Sequence, residues 1–192
     1  MSDELIKDFF ERSEKVLKKI SEDCFNDIKK LVEIVVNALE NDNKILLCGN
    51  GGSAADCQHI ATELVIQLSH DFKRKAFPAI ALTTNTSTLT AAGNDLGFES
   101  VFSRQVEAFG RKGDILIAIS TSGNSQNVIE AVKEAKSAGM ITVGFLGGTG
   151  GKLIDLVDHS IVIPDENTMY IQQGHEALGH LMCYLVEREM KR

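Results

Sequence analysis

The chain has 192 residues, of which 43% are hydrophobic and 24% are charged, enough to bury a core as one domain spanning 1–192. Its formal net charge of -7 predicts a surface that repels nucleic acid and anionic membranes. No apolar stretch approaches the roughly 20 residues that cross a bilayer, and the acidic opening "MSDELIKDFF" is not expected to act as a signal peptide. With four scattered cysteines and no CxxC pair, the sequence favours a reduced, cytoplasmic protein.

Residues 3–40 are predicted to form two amphipathic helices. Apolar residues recur there at spacings close to three, four and seven, which is the period of a helix, and the pattern breaks near residues 21–23. These apolar positions are Leu5, Phe9, Val16, Ile20, Ile28, Leu31, Val35 and Leu39. Residues 1–40 are therefore expected to be a helical extension, which either packs on the domain or takes part in oligomer packing.

From residue 44 onward, short apolar runs alternate with helical segments. The runs span 44–48, 78–82, 114–120, 141–146 and 159–164, and the helical segments span 53–69, 86–92, 99–110, 124–138, 150–156 and 168–191. Runs that are apolar on both faces are typical of strands in a covered parallel sheet. The alternation predicts an α/β fold, a three-layer αβα sandwich around a five-stranded parallel sheet.

A turn rich in hydroxyl groups, "STSGNS", follows the third apolar run. It offers the hydroxyls of Ser120, Thr121, Ser122 and Ser125. A helix begins directly after it, and the free N–H groups of a helix N-terminus bind anions readily. Simple capping by Ser122 or Asn124 is the alternative, but a cap needs only one hydroxyl. The turn therefore favours phosphate binding.

A glycine-rich turn, "GNGGSA" at 49–54, follows the first apolar run and formally matches GxGxxA, a variant of the dinucleotide fingerprint. That fingerprint also needs an acidic residue near the end of the second strand, where this chain reads "ALTTNTS". A dinucleotide is therefore disfavoured. Ligands of open α/β sheets bind at the carboxyl ends of strands, so both turns are expected at one edge of the sheet.

His59 and Glu63 lie four residues apart on the helix after the glycine turn, so they share one face. The pair is compatible with a surface ion pair, with a base and its orienting partner, or with two ligands of a divalent metal. Its position immediately beyond a ligand-binding turn favours a functional role.

The last helix contains "HEALGH", which superficially resembles the HExxH motif of zinc proteases. His175 and His180 are five residues apart and diverge by about 140° around a helix, so they cannot chelate one metal together. Gln172 and His180 lie roughly 80° apart and about 12 Å along the axis. They can meet one ligand only through long reach, helix distortion or a neighbouring subunit. His175 is interpreted as a partly exposed or interface histidine.

In combination, three segments resemble the sugar isomerase (SIS) family of phosphosugar-binding domains. They read "CGNGGSAADCQHIATEL", "AAGNDLGFESVFSRQVEAFGRKGDILIAISTSGNSQNVIEA" and "IQQGHEALGHLMCYLVE", and the resemblance covers essentially the whole chain. It implies a flavodoxin-like sheet and an isomerase that interconverts a ketose phosphate and an aldose phosphate. The implied substrate is sedoheptulose 7-phosphate.

The resemblance also implies a set of site residues. The implied sugar contacts are Asn50, Gly51, Gly52, Asn94 and Asp95, the implied phosphate ligands are Ser120, Thr121, Ser122 and Ser125, and the implied zinc ligands are His59, Glu63, Gln172 and His180. Gln172 and Glu63 are also implied substrate contacts, and Glu63 and His180 are the implied acid–base pair. One zinc ion per subunit is the implied cofactor, and a homotetramer is the expected assembly.

Two alternatives stay open at this point. Some relatives with the same fold are non-catalytic regulators, and the complete set of His59, Glu63, Gln172 and His180 favours an enzyme over them. An isomerase or sensor for another sugar phosphate is the other alternative. Gln67 and Met169 depart from the family pattern, which often has an arginine and a polar or acidic residue at these positions, so fine substrate contacts differ there.

Overall fold

The computed structural model describes residues 3–70 and 73–191 of the chain. Within these ranges, five parallel strands form one sheet in the order β2-β1-β3-β4-β5. The strands are β1 (Ile45–Gly49), β2 (Ala79–Ala81), β3 (Ile115–Ser120), β4 (Ile141–Gly147) and β5 (His159–Ile163). The helices are α1 (Asp3–Asp23), α2 (Phe25–Glu40), α3 (Gly52–Val65), α4 (Thr86–Asp95), α5 (Ser103–Phe109), α6 (Gln126–Ser137) and α7 (Thr168–Glu189).

Helices cover both faces of the sheet, which confirms the predicted α/β sandwich. Alternate residues of β1 and β3 point to opposite faces, and all of them are buried. Ile45 and Leu47 pack in a core with α1, α2, α3 and α7, whereas Leu46 and Cys48 pack in a second core with α5 and α6. Burial on both faces explains why these strands are continuously apolar in sequence.

The strand order reverses between β1 and β3, which are hydrogen-bonded neighbours although β2 intervenes in sequence. This is the flavodoxin-like order, and ligands of such sheets bind beyond the carboxyl ends of the strands at the reversal. The glycine turn follows β1 and the serine turn follows β3, with Gly49 paired to Ile119 at the last step of the ladder. The prediction that the two turns share one edge is confirmed.

The N-terminal helices separate at Cys24, close to the break predicted at residues 21–23. Val16 and Ile20 are buried where α1 packs on α7, but Leu5 is 69% exposed and Phe10 is 65% exposed. One face of α1 therefore packs on α7, and Leu5 and Phe10 present an exposed apolar surface.

Two segments predicted as helical contain 3-10 turns. In place of the single helix predicted at 99–110, the structure has a 3-10 turn at Phe98–Ser100 followed by α5. The helix predicted at 150–156 is a 3-10 turn at Gly151–Asp155. The Ser103 hydroxyl donates to the Ser100 carbonyl, 3.3 Å away, and such side-chain bonds compete with helical ones. Sequence periodicity does not detect this local competition.

His175 is fully buried, so its interpretation as a partly exposed or interface histidine is wrong. Its Nε2 atom donates to the carbonyl oxygen of Leu146 at 3.0 Å, which ties α7 to β4. Within the described ranges its Nδ1 atom has no hydrogen-bond partner. Burial lowers the pKa of the imidazole to about 4, because the apolar surroundings disfavour the charged ring.

We expect this histidine to weaken the fold in acid. An unfolded imidazole takes up a proton below pH 6.5 whereas the buried ring stays neutral down to about pH 4, so stability is present above pH 6.5 and is lost as the pH falls. The loss is about 3 kcal/mol for a shift of this size. Urea denaturation between pH 7.5 and pH 4 should show a flatter profile for His175→Gln, and parallel profiles would contradict the prediction.

Candidate active site

The serine turn lies between the end of β3 and the N-terminus of α6. Ser120 is the last residue of β3, and its hydroxyl oxygen lies 3.3 Å from that of Ser125, the N-cap residue of α6. The backbone N–H of Gly123 donates to the Ser120 hydroxyl at 3.2 Å, which closes the turn. Two of the predicted hydroxyls therefore lie together at a helix N-terminus, which is a favourable position for binding an anion.

A second glycine-rich loop supports the serine turn. Gly123 has a φ of +64°, and a Cβ atom at this position would lie 1.9 Å from the carbonyl oxygen of Gly150. The Asn124 side chain donates to the carbonyl of Ser122 at 2.8 Å and accepts the N–H of Lys152 at 3.2 Å. The loop after β4, which carried no predicted function, thus holds the serine turn in shape.

Gly123→Ala should weaken phosphate binding strongly, because the added methyl group collides with backbone and the residue needs a positive φ. We expect the dissociation constant for inorganic phosphate to rise about tenfold or more, since strain of this kind costs on the order of 1–3 kcal/mol. Isothermal titration calorimetry measures it directly. Gly93→Ala is a suitable control, since in the described residues a methyl group added at this position of α4 would meet no atom within 4 Å beyond its chain neighbours and its own helix backbone. Unchanged phosphate affinity in Gly123→Ala would contradict the argument.

The glycine turn brings the backbone of α3 against α7. Gly51, with a φ of +56°, precedes α3, and Gly52 begins the helix. A Cβ atom on Gly52 would lie 2.3 Å from Nε2 of Gln172, so the absence of a side chain admits the Gln172 amide. The side-chain amide of Asn50 forms two hydrogen bonds of 2.8 Å with that of Asn127 in α6.

Two turns further along α3, His59 meets His180 of α7. Their Nε2 atoms lie 2.7 Å apart, with the rings nearly perpendicular at 84°. One oxygen of Glu63 lies 3.8 Å from Nε2 of His59. The His59–Glu63 pair is thus part of an inter-helix cluster, which favours the functional alternatives over a plain surface ion pair.

Glu176 joins this cluster, although sequence reasoning did not select it. One ligand atom each of His59, Glu176 and His180 lies within 4.8 Å of the others. Glu176 and His180 are four residues apart on α7, so they share one face of the helix. His175 and His180, which are five residues apart, do not. That i, i+4 spacing is the signal by which Glu176 could have been found.

Two imidazole nitrogens and a carboxylate oxygen are ligands that zinc accepts, so the donor set fits this metal. His59 and His180 were both predicted as ligands. Gln172 contacts α3 at Gly52, seven residues and about 10 Å along the helix from His59. The histidines and Glu63 therefore approach one another at one position along α3, and Gln172 contacts the helix at another.

A cavity of about 630 Å³ lies between the start of α3 and the first turns of α7. Its lining includes Gly52, Gln172 and Glu176, and also Met169, one of the two departures from the family pattern. Asp56 lines it too, and one of its carboxylate oxygens is buried without a hydrogen-bond partner in the described chain. Burial and the nearby Glu176 raise the pKa of Asp56 to about 6.

The remaining predicted residues lie on the surface of the chain. Asn94 and Asp95 end α4 and are exposed, and the Asn94 amide donates to the Asp95 carboxylate at 2.6 Å. Gln67, the other departure, lies beyond α3 with its amide 3.2 Å from Nδ1 of His70. The hydrogen bonds of Asn94, Asp95 and Gln67 do not connect them to the His59–His180 cluster.

A buried ion pair anchors the chain beyond Glu63. Arg74 donates to the Glu187 carboxylate at 2.8 Å and to the carbonyl oxygens of Leu64 and Glu63 at 2.8 and 2.7 Å. The same carboxylate accepts the N–H of Leu68 at 2.9 Å. The end of α3 is thereby tied to α7, which keeps the backbone of Glu63 in place.

This fold and site define a phosphosugar-binding protein, and comparison with known families agrees. The SIS domain family matches residues 8–147. Curated relatives that are about 50% identical in sequence cover nearly the full chain. The chain belongs to the SIS domain family and, within it, to the phosphoheptose isomerases.

Similar proteins from different bacteria carry the same name, phosphoheptose isomerase. Phosphoheptose isomerase of Clostridium acetobutylicum is 50% identical over 185 residues, which are 96% of this chain and 92% of the relative. That of Aliarcobacter butzleri is 48% identical over 190 residues, or 99% of both chains. The solved structure of phosphoheptose isomerase from Neisseria gonorrhoeae is 42% identical and superposes with a TM-score of 0.90, covering 96% of this chain and 98% of that one.

Proposed function

We propose that this protein is an isomerase that converts sedoheptulose 7-phosphate into D-glycero-D-manno-heptose 7-phosphate. The observation that carries the proposal is the convergence of Glu63, His59 and His180 between α3 and α7, on the helix that begins at the glycine turn. The names of the similar proteins support the same reaction. The product would supply activated heptose for lipopolysaccharide or capsule.

The reaction moves a proton between C1 and C2 of the sugar through an enediol. One group must accept a carbon-bound proton, and another must protonate or polarise the neighbouring oxygen. We assign the first role to Glu63, whose carboxylate is partly buried at 18% exposure, and the second to His180. Their helices pack side by side, so both groups are held on rigid elements.

The serine turn would bind the phosphate through Ser120, Thr121, Ser122 and Ser125 together with the N-terminus of α6. Local donors are needed because the overall charge of -7 does not attract an anion. The glycine turn, with Asn50, Gly51 and Gly52, would allow backbone groups to approach the sugar, and Asn94 and Asp95 are proposed as further sugar contacts. Phosphate binding thus fixes one end of the substrate while the acid–base pair acts on the other.

We propose zinc as the cofactor. His59 and His180 would hold it, with Glu63 and Gln172 as the ligands implied by the family and Glu176 as a carboxylate close to both histidines. Bound zinc would stabilise negative charge on the enediolate oxygen as a Lewis acid. The protein residues orient the sugar and move the proton.

A coupled assay with sedoheptulose 7-phosphate, run with and without chelator, tests the proposed reaction. We expect turnover of the purified protein and a loss of rate on chelation that zinc restores. Absence of turnover with zinc present, combined with intact phosphate binding, would favour a non-catalytic sugar-phosphate sensor instead.

We also propose a homotetramer that works in the cytoplasm. Leu96 and Phe98 are 51% and 63% exposed directly beside Asn94 and Asp95, so a neighbouring subunit covering them would also bring these polar residues to a site. Four free, buried cysteines suit a reducing compartment, and in the described ranges no helix is long and apolar enough to cross a membrane. A monomer in light scattering at micromolar concentration would refute the assembly.

A further inference from the structure

We propose that Asn50 and Asn127 form a positioning clamp that locks the glycine turn to the serine turn. This inference rests on the proposed function, and it assigns a role to Asn127, which sequence reasoning did not select. Each side-chain amide donates one hydrogen bond to the other and accepts one in return, both at 2.8 Å.

The pair is built as a permanent contact. Asn127 is only 3% exposed, and its Oδ1 atom also accepts the backbone N–H of Val128 at 3.0 Å in the first turn of α6. Both side chains are uncharged, so the contact needs no counter-ion and does not change with pH near neutrality. A buried amide that lost its partner would be left unsatisfied, which makes the paired state strongly preferred.

The clamp acts where the sheet itself can no longer connect the two turns. The ladder between β1 and β3 ends with Gly49 paired to Ile119. Asn50 is the next residue along the glycine turn, whereas Asn127 is the second residue of α6, two positions after the N-cap Ser125. Two side chains thus bridge the gap at the strand reversal, where the substrate would lie across both turns.

This arrangement gives Asn50 a second role. The family resemblance implies that Asn50 contacts the sugar, and one proton of its amide group and one lone pair of its carbonyl oxygen remain for that contact. The other amide proton and the other lone pair of Asn50 form the two hydrogen bonds with Asn127. The clamp therefore predicts that Asn50 affects binding of a ligand that has no sugar at all.

Titration calorimetry with inorganic phosphate tests this prediction. We expect Asn50→Ala and Asn127→Ala each to weaken phosphate binding about tenfold, and the double variant to bind no more weakly than the weaker single variant, because both remove the same contact. Asn127→Ser, which keeps a side-chain oxygen near the N–H of Val128, should behave like Asn127→Ala. In the isomerase assay, KM should rise more than kcat falls.

Asn37→Ala, the same change on the exposed face of α2, serves as the matched control and should bind phosphate like the parent protein. Circular dichroism and melting curves identify the folded variants on which binding is compared. Unchanged phosphate affinity in Asn50→Ala, or additive losses in the double variant, would overturn the clamp. Phosphate binding is measured without turnover, so failure of the proposed isomerase reaction would be seen separately, as an inactive parent protein that still binds phosphate.

Discussion

Glu63→Gln should reduce isomerisation about a thousandfold while leaving the fold intact, because a glutamine cannot accept the carbon-bound proton. The substitution keeps the shape of the side chain, and the contact of the Glu63 backbone carbonyl with Arg74 is unaffected. The rate of the coupled reaction measures the loss. Exchange of the sugar proton with deuterated solvent, followed by NMR, tests the carbon-bound step itself and should be lost to the same extent.

Glu166→Gln is the matched control for this experiment. Glu166 is an exposed acidic residue in the segment before α7, so the control makes the same change of charge away from the cluster. We expect turnover like that of the parent protein and equal melting temperatures for both variants. Full turnover in Glu63→Gln would refute the assignment of Glu63 as the base, whatever the identity of the sugar.

The second large effect is expected on the affinity for zinc. Stripped protein should bind one zinc ion per chain, and His180→Gln should weaken that binding at least about 100-fold, more than loss of a supporting group usually does. His180 faces His59 at 2.7 Å, so its removal takes one of the two nitrogen donors from the cluster. Equilibrium dialysis measures the affinity. Zinc should also raise the melting temperature of the parent protein, since it binds the folded state.

Two further variants decide which carboxylate binds the ion. Glu176→Gln should lower zinc affinity if the ion lies within the group formed by His59, Glu176 and His180, whereas Glu63→Gln should lower it if the family-implied ligand set holds. His70→Gln, a change in an exposed histidine beyond α3, should leave zinc binding unchanged. A parent protein whose melting temperature and dialysis show no zinc binding would refute a metal site here.

The positions of the strands could be predicted closely from sequence. β1 and β3 are apolar on both faces because helices cover both, and each starts within one residue of its predicted position. The helix ends were less predictable: α3 ends at Val65, four residues before its predicted end. Helix ends depend on capping contacts and local turns, which period and composition do not encode.

Contacts within the candidate site were also predictable where they are local in sequence and unpredictable where they join distant elements. The proximity of Ser120 and Ser125 could be predicted because they lie in one short turn after a strand, and local sequence order is enough to bring them together. Glu176 had a sequence signal, its i, i+4 spacing to His180, that the sequence reasoning did not use. Asn127 could not be identified, because its partner Asn50 comes from another element. His175 was misjudged for this reason too: whether a histidine of α7 faces solvent or β4 depends on which face of the helix packs.

The amino-acid sequence by itself determined the α/β class, the two turns that follow β1 and β3 and the spacing of His59 and Glu63, because these follow from local periodicity and turn chemistry. Only the tertiary structure decided that His180 meets His59, that Gln172 lies over Gly52 and that Asn50 pairs with Asn127. Those contacts depend on the strand order and on the register of α7 against α3. Packing of the whole core sets both, and residues more than 70 positions apart in the chain then share one site.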